Sequence, residues 1–161
     1  MENTKTKSTA TAADLSLILE RVFDAPRHLV FEAWTKPEHL VNWCAPEGFS
    51  IPKATGDFRE GGEWFSLLIA PDGEKYPVSG VYIEIEPDKL LVMSHGWIED
   101  DGTRPHETVL KVRFADEGKK TKVTLGQSMF KSVESRDGHI GGWSSSLNRL
   151  AHLLEKLKTK E

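Results

Sequence analysis

Apolar and polar residues alternate over residues 15–23: Leu15, Leu17 and Leu19 are followed, after Glu20 and Arg21, by Val22 and Phe23. Asp24 and Pro26 end this run, which predicts a β-strand. The spacing then lengthens. From Arg27 to Trp34 the apolar positions Leu29, Val30, Phe31, Ala33 and Trp34 form the buried side of a helix. Pro37 opens a second short helix, with Leu40, Val41 and Trp43 as its apolar stripe, and that helix stops before Pro46. Between Phe49 and Phe130 the breaks are Gly61-Gly62, Pro71-Asp72-Gly73, Glu86-Pro87-Asp88, Asp100-Asp101-Gly102 and Glu117-Gly118. They delimit about six strands with connections too short for parallel crossovers, so successive strands pair as hairpins. Over residues 140–158, Trp143, Leu147, Leu150, Leu154 and Leu157 recur at spacings of four, three, four and three, the stripe of one long helix.

The order strand, two short helices, six strands, long helix predicts an α+β fold. A curved antiparallel sheet of about seven strands wraps around the C-terminal helix, with a space between the two that side chains either fill or leave open. One domain over residues 15–158 accounts for the folded part, preceded by a polar stretch, residues 1–14, that reads as a disordered tail. The chain has 161 residues, 38% of them hydrophobic and 29% charged, enough apolar material for one core and no run long enough to span a bilayer. Net charge is −4 with both signs mixed along the chain, which gives little electrostatic help toward nucleic acid or anionic lipid. The single cysteine, Cys44, excludes an internal disulfide and a cysteine-based metal cluster and fits a reducing compartment. The expectation is a cytoplasmic protein, monomer or weak homodimer, with neither nucleic acid nor membrane as partner.

The segment FEAWTKPEHLVNW, the following Ala45-Pro46, the strand start Gly61-Gly62-Glu63-Trp64, the Pro71-Asp72-Gly73 turn, Gly80 with Glu84, and Gly142-Trp143 before the leucine stripe resemble the AHSA family. That family consists of homologues of the activator of the heat-shock protein 90 ATPase and belongs to the SRPBCC superfamily. The resemblance implies the helix-grip fold of START and Bet v 1-like proteins over almost the whole folded chain. It also implies a space beneath the long helix in which superfamily members hold apolar small molecules, some with cyclase or hydrolase activity.

Strand alternation selects the side chains expected to face that space. With Trp64 inward, Ser66 and Leu68 follow; Val81, Ile83 and Ile85 form a neighbouring set, and Leu91, Met93, His95 and Trp97 another. Leu110, Val112 and Phe114 line the next strand, with Val123, Leu125, Gln127 and Met129 after it. The candidate ligand-binding residues are therefore Trp34, Trp43, Trp64, Ser66, Met93, His95, Trp97, Gln127, Met129, Ile140, Trp143 and Leu147. Ser66, His95 and Gln127 would orient a ligand, and the others would supply contact area. The competing reading is that the same residues simply fill the interior to ordinary density. For Gly141-Gly142 the choice lies between close packing of the helix start, the favoured reading, and a ligand gate.

No nucleophile elbow, zinc-binding His pair or phosphate-cradling loop is present. His28, His39, His106, His139 and His152 are scattered over turn and surface positions. His95 beside Glu63, Asp57 or Arg59 is the one candidate acid–base pairing. No cofactor, no metal and no catalytic residue is expected. Three functions follow in order: a binding protein for a hydrophobic or amphipathic small molecule; a chaperone-associated module with Phe65, Leu67 and Ile69 as an outward apolar row; and a cyclase- or hydrolase-type enzyme using the same space.

Overall fold

A computed structural model describes residues 7–9 and 15–159 of the chain. It contains, in order, β1 (Lys7–Thr9), β2 (Leu17–Phe23), α1 (Arg27–Thr35), α2 (Pro37–Leu40), β3 (Ser50–Gly56), β4 (Glu63–Ile69), β5 (Lys75–Glu86), β6 (Leu90–Trp97), β7 (Thr108–Glu117), β8 (Lys120–Ser128) and α3 (Val133–Lys158). The eight strands form one antiparallel sheet in the order β1-β2-β8-β7-β6-β5-β4-β3. From β3 to β8 each strand pairs with the next, the meander expected of short turns. Chain reversal uses left-handed backbone where the turn requires it, at Asp88 (φ 64°) between β5 and β6 and at Gly118 (φ 65°) between β7 and β8. Since β2 joins β8 and β3 lies at the far edge, α1 and α2 carry the chain from one end of the sheet to the other.

Three element boundaries differ from the sequence reading. Lys7–Thr9 is a strand paired with β2 (Lys7 opposite Glu20), where a disordered tail is expected; the rest of that tail lies outside the described residues. Its residues, Lys, Ser and Thr, are all polar and carry no apolar alternation, and pairing with the free edge of β2 supplies what composition does not. The second helix is a single turn, and Trp43 lies in the turn that follows it. The long helix begins at Val133, well before Ile140. Ser132 caps it by accepting the Ser135 N–H at 3.0 Å, and its first turns carry serine and glycine, which give no apolar stripe.

β2, β7 and β8 alternate as expected, burying Leu17 and Leu19, Leu110, Val112 and Phe114, and Val123 and Leu125. With Val30 and Ala33 of α1 and Leu147, Leu150 and Leu154 of α3 they make the principal core cluster. β5 departs from simple alternation. Val78 and Tyr82 are buried and Ile83 is 50% exposed, so the inward set begins on even positions rather than with Val81 and Ile83. A register shift between Tyr82 and Glu84 then returns Ile85 to the inner face, since an extra residue reverses the side-chain phase. Gly80 must be glycine for contact reasons. A Cβ there would lie 1.9 Å from the Ser94 carbonyl oxygen and 2.8 Å from the Trp64 indole nitrogen. The missing side chain lets Trp64 cross over Gly80, its strand partner, and donate to the Ser94 carbonyl at 3.1 Å.

The paired glycines of α3 are not a close-packed seam. Gly141 is exposed and a Cβ there meets nothing within 4 Å, while one on Gly142 would make ordinary contact with Pro46 at 3.7 Å. Gly141→Ala is accordingly expected to stabilise the protein by about 1 kcal/mol, through lower backbone entropy in the unfolded chain. A raised urea midpoint checks this; a midpoint at or below that of the wild type contradicts it.

Candidate functional site: a cavity between the long helix and the sheet

Where β4, β5 and β6 pass beneath the first half of α3, the interior is not filled. A cavity of about 560 Å³ opens there, within the size range of small-molecule pockets. Its sheet wall comes from Trp64, Ser66 and Leu68 of β4, Val78 and Tyr82 of β5, and Met93, His95 and Trp97 of β6. Trp34 of α1 and the segment from Leu40 to Phe49 close one side. The exposed residues Tyr76, Glu99, Lys131, Glu134 and Gly138 mark the mouth.

The helix explains why the space stays open. Along α3 the small residues Ser135, Gly138, Gly142 and Ser146, at spacings of three, four and four, border the cavity between the larger side chains of His139 and Trp143, so a strip of this helical face carries almost no side-chain volume. One turn further on, Leu147, Leu150 and Leu154 fill the core completely. The same helix thus packs with its second half and spans a void with its first. The segment beside the cavity is held by α3 as well: the Arg149 guanidinium donates to the carbonyls of Ala45 (2.9 Å), Pro46 (3.1 Å) and Phe49 (3.3 Å), and Ser145 Oγ accepts the Glu47 N–H.

Seven of the residues selected from sequence border the cavity: Trp34, Trp64, Ser66, Met93, His95, Trp97 and Trp143. Five do not. Trp43 is buried behind Trp34, its ring edge-on at 4.7 Å between centroids. Leu147 belongs to the core, and Ile140 packs against its margin. Met129 follows the end of β8 with φ 73° and is 60% exposed, because the strand stops at Ser128; Phe130 takes the buried place. Gln127 is buried, but its amide is already engaged. It accepts the Trp143 indole N–H at 2.8 Å and donates to Thr108 Oγ at 2.8 Å, and Thr108 donates in turn to the His95 carbonyl. Gln127 therefore fixes the Trp143 ring, with both ends of its amide engaged inside the protein.

The electrostatic surroundings of His95 also differ from expectation. Its neighbours are the rings of Trp97 (5.3 Å), Trp64 (5.7 Å) and His139 (6.1 Å), not Glu63, Asp57 or Arg59. His139, read from sequence as a turn or surface residue, lines the cavity. Its Nδ1 lies 2.8 Å from the Ser135 carbonyl oxygen, and its Nε2 accepts the Trp97 N–H at 3.2 Å, which selects the neutral tautomer protonated on Nδ1. Burial, reinforced by His139, lowers the His95 pKa to about 3. Burial also lowers that of His139. Desolvation pushes the Cys44 thiol and the Tyr82 hydroxyl each up to about 12. At neutral pH these interior groups are all uncharged. Among the described residues no cluster of His, Cys, Asp and Glu could hold a metal ion, and no helix is long and apolar enough to cross a membrane.

The fold recurs in solved structures. An AHSA1 protein from Silicibacter pomeroyi is 28% identical, with a TM-score of 0.79 and 91% of this chain and 99% of that one covered. A protein from Chromobacterium violaceum is 27% identical (TM-score 0.79; 88% and 97% covered), and one from Nitrosomonas europaea is 26% identical (TM-score 0.78; 92% and 99% covered). No curated protein matches the chain. The profile of the family described as Activator of Hsp90 ATPase homolog 1-like protein matches residues 24–155, from the end of β2 to the last turns of α3, and the chain belongs to that family.

Proposed function

We propose that this protein binds a hydrophobic or amphipathic small molecule in the cavity beneath α3. The observation that carries the reading is the pairing of an aromatic sheet wall with a helical face of Ser135, Gly138, Gly142 and Ser146 around about 560 Å³. Protein interiors otherwise pack to the density of organic crystals, and lining a space of this size with aromatic rings forgoes contacts that an occupant restores. Apolar walls supply affinity, and the polar groups at the mouth leave room for a ligand's polar end. The proposed setting is the cytoplasm.

The test is an uncharged, environment-sensitive apolar dye, Nile red, titrated into wild type and Gly142→Phe. A phenylalanine there enters the space beside Pro46, and dye fluorescence should fall at least tenfold while the helical circular dichroism is retained. Equal dye binding by the two proteins, or none by the wild type, rejects the proposal.

A chaperone-contacting role has narrower support, the outward row Phe65, Leu67 and Ile69 on β4, each of which is only partly buried. It requires that the protein bind its cognate chaperone and change that ATPase rate, and a pull-down without contact removes it. Acid–base catalysis gains no support from His95, which is too weakly basic in its buried state to take a proton near neutral pH.

A further inference from the structure

The chain has five tryptophans, and an indole N–H can only donate. Four of the five have acceptors within the protein: Trp43 the Ala33 carbonyl, Trp64 the Ser94 carbonyl, Trp97 the His139 ring and Trp143 the Gln127 amide. The fifth, Trp34, is buried, and its N–H has no partner. Leaving such a donor unmet costs free energy, so an unpaired one is rare in a protein interior and calls for a physical reason.

The surroundings of Trp34 supply one. Its ring is packed by those of Trp43, Phe114 and Trp143, the last nearly parallel at 5.7 Å, and none of these side chains offers an acceptor. Trp34 also borders the cavity. The N–H has no surface that a molecule the size of water can touch, from bulk or from the cavity, so a turn of the ring toward the cavity is the means by which it would reach an occupant's acceptor. The nearby cavity groups add direction. Ser66, Cys44 and Tyr82 line the same space with hydroxyl or thiol hydrogens, and burial keeps the last two protonated. No Lys or Arg lines the interior; Lys131 is exposed at the mouth.

We propose that Trp34 is the anchoring hydrogen-bond donor of the site, and that the ligand is an uncharged apolar molecule bearing a carbonyl-type oxygen which accepts from the Trp34 N–H. This rests on the cavity-binding reading above and narrows it to a chemical class. A carboxylate or phosphate in the interior would lack a countercharge and pay its desolvation without return. A hydrocarbon without oxygen would leave the Trp34 donor as unmet as before. Aromatic walls suit a flat ligand whose faces contact rings while its oxygen reaches the ring edge.

The experiment uses two probes of the same shape, fluorenone and fluorene, which differ in one carbonyl, measured against wild type, Trp34→Phe and Trp143→Phe. Wild type should favour fluorenone by about tenfold, the usual worth of one buried hydrogen bond. Trp34→Phe keeps the aromatic area and removes the donor, so its preference should fall to near unity, with fluorene affinity unchanged. Trp143→Phe also loses an indole N–H, but one already bonded to Gln127, and because Trp143 is part of the cavity wall the change should alter the affinity for both probes alike. In wild type the Trp34 indole N–H proton resonance should move downfield with fluorenone and stay in place with fluorene, a readout that does not depend on any variant folding. Binding of both probes without preference, or a preference that survives Trp34→Phe, overturns the anchor and leaves the cavity reading standing. If neither probe binds wild type, both proposals fall.

Discussion

Lowering the pH from 7 to 4 is expected to remove about 3 kcal/mol of folding stability through His95 alone. His95 is 8% exposed on β6, and burial together with His139 depresses its pKa from 6.5 to about 3. The sign follows from where the proton binds first. Below pH 6.5 the unfolded chain takes up a proton that the folded state refuses, so stability is lost progressively as pH falls from 6.5 toward 3. His139 is shifted in the same direction and adds to the loss. His28 is shifted upward by Asp88 and Glu32 and works the other way: its contribution is present below its unfolded value and lost as pH rises through the folded one. It is an exposed surface group, so solvent screening leaves that contribution small. Urea unfolding of wild type and His95→Gln at both pH values measures the difference. The variant should lose far less stability on acidification, and parallel losses in the two proteins would show that His95 does not govern the acid limb.

The second large effect is at Trp43. Trp43→Ala is expected to cost about 4 kcal/mol, a large share of the stability of a small domain. The residue has 0% exposure, so its removal leaves a void that its neighbours cannot fill without moving. It also performs a specific hydrogen-bonding task. The Ala33 carbonyl near the end of α1 would ordinarily accept from the residue four places on, but that residue is Pro37, which has no N–H. The Trp43 indole supplies the missing donor at 2.8 Å. Trp43→Phe should therefore still cost about 1–2 kcal/mol, since the carbonyl is left buried and unpaired. Trp64→Ala, whose ring already borders the cavity on one side, should cost about half as much as Trp43→Ala. Denaturant midpoints for the three variants test this order; equal losses at Trp43 and Trp64 would mean that the space beside Trp64 is packed like the core.

Much of the architecture is legible from local pattern. The strand boundaries from β3 to β8 follow the Gly, Pro and Asp breaks, and the inward residues of β6, β7 and the described length of β8 follow simple alternation, apart from Met129, which lies past the strand end. The site was legible in part. Trp64, Ser66, Met93, His95 and Trp97 lie on regular strands, where period alone says which way they point. Val81 and Ile83 misled because a bulge in β5 has no marker in the residues around it. Gln127 faces inward as expected and does not border the cavity; its amide bonds Trp143 and Thr108. His139 and the run Ser135, Gly138, Gly142, Ser146 escaped notice, although their helical spacing is a usable signal once the helix is extended back to Ser132.

The sequence by itself determined the succession of elements, the antiparallel meander, the leucine face of α3 and the family, because periodicity, turn chemistry and a dense aromatic segment act over a few neighbouring residues. Only the tertiary structure decided that the interior under the first half of α3 is hollow, that Trp43 belongs to the frame and Trp34 to the wall, and that one indole N–H among five is unmet. Each of these depends on the distance between elements far apart in the chain. That distance is set jointly by Leu147, Leu150 and Leu154 seating the helix at one end and by Arg149 tethering the segment beside the cavity, and no local pattern contains it.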